Sequence, residues 1–437
     1  MASSPSVVRN PISIVGAWLT TIAAFAFIIY YVLESFELLV SPYSGLIGFI
    51  ALPALFVFGL LLIPAGMWRE ARRRRQGRGA WTWPAFDLAH ARTRSIMLWV
   101  ALLTLVNLSL VTVATVGGAH YMEENRFCGQ VCHTPMKPEF TAHKVAPHAG
   151  VRCVQCHVGP GARGTITAKL AGARQAVEFI TGTYHRPIPV PARNIPAPAD
   201  TCLSCHSLDR PMRDVSYTKF EYADDEENTE TATPIVMFTQ AAHWHARTDV
   251  IVEFAATDAT RETIPYVRVT EPGGAVTEYQ TPDTARPTGP LRRMDCADCH
   301  NRPAHPMSPS AEVAVDRAIS LGRISRTLPF VRREAVAVLT AEYPSEEAAV
   351  QAIRAKMGEF YKTRPAALPA HVDSAIATVS DLYRTNVFPD MKVTWGTYKS
   401  QLAHPEGAGC FRCHDDEHKA SPTKFIRQDC ALCHKVE

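Results

Sequence analysis

All twelve cysteines of this 437-residue chain fall into six pairs, and a histidine directly follows the second cysteine of every pair. In chain order the sets are Cys128, Cys132 and His133; Cys153, Cys156 and His157; Cys202, Cys205 and His206; Cys296, Cys299 and His300; Cys410, Cys413 and His414; and Cys430, Cys433 and His434. C-x-x-C-H is the attachment signature of c-type haem: two sulfurs add to the porphyrin vinyl groups and the adjacent imidazole becomes an axial iron ligand. Structural zinc joins two half-sites into four ligands and does not require a histidine behind each pair. Six disulfides across two-residue spacers would be strained and reducible. Complete use of cysteine in one pattern therefore predicts six c-type haems and their iron. The first set has three residues between its cysteines, so the extra residue must bulge if both sulfurs are to reach one porphyrin.

A low-spin haem needs a second axial ligand. His148 lies five residues before Cys153; His305, His404 and His418 lie close to motifs; His243 and His245 form an isolated HWH string. These six are the expected distal ligands, with His120, His143, His185 and His371 weaker alternatives. Met136, three residues beyond His133, offers a thioether that could replace imidazole; a core methionine is the competing reading.

Three apolar runs must position the motifs, from about Ile12 to Leu33, Gly45 to Met67 and Ile96 to Gly118, each long enough to span a bilayer as a helix. A signal peptide competes for the first run, which lacks a basic leader and a clear cleavage site. The loop after the first run carries Glu34 and Glu37, whereas residues 68–94 carry Arg69, Arg72, Arg73, Arg74, Arg75, Arg78, Arg92 and Arg94. Arginine-rich short loops stay cytoplasmic, so the N-terminus is expected inside and everything after Gly118 outside, in the periplasm. His90 is thereby excluded as a ligand, and Trp81, Trp83 and Phe86 read as a headgroup-level anchor. No histidine falls within the runs, which argues against a membrane b-type haem. The net charge of +3 gives no footing for nucleic acid.

The expected fold class is mainly α: three transmembrane helices and a multihaem domain of little regular structure, with a small β insertion and a helical segment. The anchor is residues 1–118, followed by a haem module at 119–210 and a C-terminal module at 211–437. Strand-like runs place the β insertion at about 248–281. Helical periodicity over about 310–386 puts Ala349, Ile353, Met357 and Phe360 on one face, with Ser345 as a cap. Prolines from Pro187 to Pro198 mark an extended connector.

Residues 95–210 resemble the NapC/NirT/NrfH family of membrane-bound multihaem quinol dehydrogenases, on one membrane helix followed by CHTPM and PHAGVRCVQCHVGPG. The resemblance implies that Met136 ligates the first haem, that quinol or menaquinol is oxidised beside it, and that Lys169 in AKLAGARQ serves the quinol pocket. An acidic residue often follows six or seven positions later in that family; here Gln175 stands there, with Glu178 nearby. The strings CHNRPAHPM, FPDMKVTWGTY and GCFRCHDDEHK look more like the larger three-span inner-membrane cytochromes of metal-respiring bacteria. The function expected from these resemblances is electron delivery from the bacterial inner membrane to periplasmic or outer-membrane acceptors; the strings identify no partner, and the expected partners are the lipid bilayer and periplasmic cytochromes or other membrane-complex subunits. A wiring subunit of a larger respiratory or photosynthetic complex, without its own quinol site, is the alternative. A reductase with an open substrate-binding haem is disfavoured, since no C-x-x-C-K motif is present.

Overall fold

In a computed structural model the described residues are 10–35, 51–76, 89–159, 161–192, 195–207, 212–282, 284–364, 367–402, 404 and 407–436. The first inter-span loop, the start of the second predicted run and the aromatic trio Trp81, Trp83 and Phe86 lie outside them. The chain forms two compact units, Met1–His133 and Thr134–Glu437.

Among the described residues, the first unit holds three helices long and apolar enough to cross a membrane: α1 (Pro11–Ser35), α2 (Leu52–Arg75) and α3 (Ala91–Met122). Helices α1 and α2 approach closely through small residues, the means by which helices associate when apolar surface gains nothing by leaving lipid. A Cβ on Gly16 would lie 2.7 Å from the Gly59 carbonyl oxygen, and one on Gly59 would lie 2.7 Å from the Thr20 nitrogen. Ser13 seals the same seam by donating to the Ile63 carbonyl at 2.8 Å. Gly59→Leu should therefore force the pair apart at a cost of about 1–3 kcal/mol, read as a lowered unfolding temperature in detergent, while Gly172→Ala, in open space on another helix, should not.

In the second unit α4 (His133–Lys144, its first residue closing the first unit) and α5 (Gly161–Thr181) precede two sheets. The strands are β1 (Val215–Tyr222), β2 (Glu230–Met237), β3 (Ile251–Ala255), β4 (Tyr266–Thr270), β5 (Val276–Gln280), β6 (Arg292–Arg293), β7 (Lys419–Ser421), β8 (Lys424–Phe425) and β9 (His434–Val436). One sheet has the order β1-β2-β9, the other β6-β3-β4-β5-β7-β8. The expected insertion corresponds to β3, β4 and β5, whose Val252, Phe254, Val267 and Val269 bury one face. The β1–β2 hairpin was not expected: most of its residues are exposed, so it lacks the alternation that marks a half-buried strand. Its partner β9 carries the sixth motif's histidine, in register with Met237.

Helices α6 (Ala311–Ser320), α7 (Val331–Leu339), α8 (Glu346–Lys362) and α9 (Pro369–Asn386) enclose the largest core. Ala349, Ile353 and Met357 are fully buried as the periodicity predicts, with Tyr361 completing the stripe and Phe360 packed at its edge. The Ser345 hydroxyl caps α8 by accepting from the Ala348 N–H at 3.2 Å. Asn228, buried in the β1–β2 turn, donates to the Leu328 carbonyl and accepts from the Arg332 N–H, tying the hairpin to this bundle.

Candidate haem centres

The motifs fold as short helical turns, because a C-x-x-C spacing puts both sulfurs on one side of a turn. The histidine N–H closes the turn on the first cysteine's carbonyl in motifs three, four and five, at 2.8, 2.7 and 3.0 Å. Asp295 and Asp429 cap motifs four and six by accepting from the Ala297 and Ala431 N–H groups. The irregular first motif lies on a π-helical turn, Phe127–Val131, whose wider winding accommodates one more residue. No pair of cysteines is closed as a disulfide among the described residues.

Each of the remaining five motif histidines faces a histidine distant in sequence. Ring centroids are 6.1 Å apart for His157 and His305, and 6.0 Å for His206 and His148. They are 6.0 Å apart for His300 and His243, 6.0 Å for His414 and His245, and 6.2 Å for His434 and His404. An imidazole nitrogen binds a first-row metal at about 2 Å, so two rings meeting one ion from opposite sides have centroids about 6 Å apart. The proton inventory fits as well. The Nδ1 atoms of His148, His243, His245, His305 and His414 donate to the carbonyls of Pro303, Thr239, Ala242, Glu139 and Arg427, respectively. A carbonyl can only accept, so the proton is on Nδ1 and the lone pair that a metal would need is on Nε2. Burial, joined by neighbouring histidines, lowers the pKa of His157, His245, His300 and His305, favouring the neutral imidazole that a metal requires.

His418 departs from expectation. Its ring is buried, with Nε2 donating to the Ile264 carbonyl at 2.6 Å and Nδ1 2.9 Å from the Asp415 carboxylate. Both nitrogens are occupied, so it is a core residue and not a ligand. His143 also lies 6.0 Å from His305, but its Nε2 is engaged with the Val151 carbonyl. His185 and His120 are exposed, and His371 meets the Thr327 hydroxyl at 3.4 Å. Met136 is half-buried on α4, three residues along from His133.

Lys169, Gln175 and Glu178 all lie on α5, but at 100° per residue Glu178 falls on the side opposite Lys169, and Gln175 about 120° from it. The three cannot converge on one substrate. Glu178 pairs instead with Arg174 at 3.6 Å. Lys169 borders a stripe of exposed Ile166, Leu170, Val177 and Ile180.

Two charged groups were not expected, because they occupy the spacers of motifs four and five. Arg412, 8% exposed, donates to the carbonyls of Gly409, Arg261 and Asp298 at 2.8, 3.1 and 2.6 Å. The Asp298 carboxylate, its side chain fully buried, is held by Arg261 and by Arg292 at 2.9 Å. An arginine and an aspartate between paired cysteines are the only sequence signal of this clamp.

Successive motifs are neighbours in space. Beyond the dominant effect of burial, the Cys156 thiol is raised by Cys202 and Cys205, Cys296 by Cys202, and Cys299 by Cys410. A hydrogen bond with Cys410 is the largest cause raising Cys433. The order two, three, four, five, six is thus kept in space. At the sixth motif an open, mainly apolar depression of about 500 Å³ is lined by Phe238, Cys430, Ala431, His434, Lys435 and Val436. Among the described residues no three His, Cys, Asp or Glu side chains gather as a metal site.

No family model matches the chain, and no solved structure matches it; the NapC/NirT/NrfH likeness therefore rests on the motifs alone. The chain is 37% identical over 450 residues to the cytochrome c-type protein ImcH of Geobacter sulfurreducens, a match covering 98% of this chain and 88% of that protein. With the helices of membrane-spanning length and the motif geometry already described, identity at this level over almost the whole length shows that the chain belongs to the family of the cytochrome c-type protein ImcH.

Proposed function

We propose that the protein is a membrane-anchored hexahaem cytochrome c of the bacterial inner membrane that oxidises quinol at the periplasmic face and passes electrons to periplasmic or outer-membrane acceptors. The observation that carries this reading is the set of five histidine ring pairs, each joining a motif histidine to a remote one. Haem, when bound, supplies one-electron iron chemistry and so divides the two electrons of a quinol into single transfers. The cysteines of the six motifs would hold the porphyrins; His148, His243, His245, His305 and His404 would complete the iron coordination of five of them. Met136 is the proposed alternative to His133 at the first. The spatial order of motifs two to six supports a relay running in chain order towards the C-terminus.

On α5 the exposed apolar stripe beside Lys169 supports contact with a lipid-soluble substrate: the side chains would pack the quinol body and the ammonium would stabilise a developing quinolate. The pairing of Glu178 with Arg174 supports leaving it out of this role. Reduced menaquinol analogue should reduce the haems of the purified protein in detergent, and Lys169→Ala should slow that step about a hundredfold with dithionite reduction and haem content unchanged. Equal rates in parent and variant would remove Lys169 from the mechanism; a parent reduced by dithionite and not by quinol would overturn quinol oxidation.

A further inference from the structure

Glu139 on α4 and Arg302, two residues behind the fourth motif, form an ion pair at 3.0 Å with side chains only 13% and 7% exposed. His305 lies against the same carboxylate. Its Nδ1 donates to the Glu139 carbonyl at 3.0 Å and sits 3.3 Å from Glu139 Oε2. Arg302 closes the arrangement: its Nε donates to the His305 carbonyl at 3.0 Å, and its guanidinium lies 4.4 Å from the centre of the Tyr398 ring.

The loop that carries Arg302 and His305 reaches three centres within six residues. It begins at His300 of motif four, its Pro303 carbonyl accepts from His148, whose ring faces His206 of motif three, and it ends at His305, whose ring faces His157 of motif two. A displacement of this loop would be felt at all three. Little water reaches the ion pair, so its two charges are weakly screened at the His305 ring.

We propose that Glu139 and Arg302 are positioning residues that set the redox balance of the second centre through His305. The carboxylate polarises the Nδ1–H bond, which makes Nε2 a stronger donor and favours ferric iron; the guanidinium opposes it and holds the carboxylate in place. This rests on the reading that His305 and His157 share an iron.

Glu139→Gln keeps the shape and removes the negative charge, whereas Arg302→Gln removes the positive one. In holoprotein of full haem content, a spectroelectrochemical titration with electron paramagnetic resonance should show one centre displaced in each variant, in opposite directions. Glu139→Gln should raise the ferrous-to-ferric ratio at fixed potential about tenfold, or ~59 mV for one electron, and Arg302→Gln should lower it. Displacements of the same sign, no displacement, or loss of one haem in both variants would overturn the proposal; if Glu139→Gln yields no holoprotein, the sign of the Arg302→Gln displacement decides alone. A parent lacking two-imidazole iron signals would instead overturn the underlying ligation.

Discussion

Replacing Arg412 with alanine should prevent stable assembly of the fourth and fifth motifs, at a cost of about 3–5 kcal/mol. The guanidinium is buried and satisfies three backbone carbonyls, those of Gly409, Arg261 and Asp298. Alanine would leave those acceptors facing one another without a donor, beside an Asp298 carboxylate that water does not reach. Lysine offers a single point of donation where the site needs a planar fork, so Arg412→Lys should be intermediate. Thermal unfolding of the holoprotein, followed by haem content after limited proteolysis, measures both effects. An unfolding temperature for Arg412→Ala equal to that of the parent would remove the clamp from the account.

The second large effect concerns the distal histidines. His245→Ala should convert one low-spin centre to a high-spin iron that binds added cyanide or carbon monoxide, because it removes the ring that faces His414. His245→Met should keep that centre low-spin and raise its potential, thioether being the weaker donor to ferric iron. His418→Gln serves as the contrast. It should leave every haem spectrum unchanged and cost about 1–3 kcal/mol, since the Ile264 carbonyl and Asp415 lose a buried partner. A change of iron spectrum in His418→Gln, with none in His245→Ala, would reverse the two roles.

Local features were legible in the sequence and long-range ones were not. Three apolar runs could be read as helices because bilayer thickness fixes the length of an uncharged stretch, and the motifs because haem attachment fixes a spacing. The pairing of rings follows from neither. His305 faces His157 across an intervening 147 residues only because the loop behind motif four folds back against α4. Proximity to a motif suggested His418 as a ligand, yet its position behind Asp415 turns the ring into the β-sheet core instead. The attachment signature leaves its spacer residues unspecified, so it carries no mark of Asp298 and Arg412. In the quinol region, helical winding separates Lys169 from Glu178, a fact that six-or-seven-residue spacing in a string does not convey until the segment is known to be one helix.

That every cysteine pair carries a haem can be decided by counting covalent haem on the intact chain. A pyridine haemochrome titration combined with the intact mass of the protein purified from its membrane should give six haems per chain. A smaller number, or zinc found in place of iron, would contradict it.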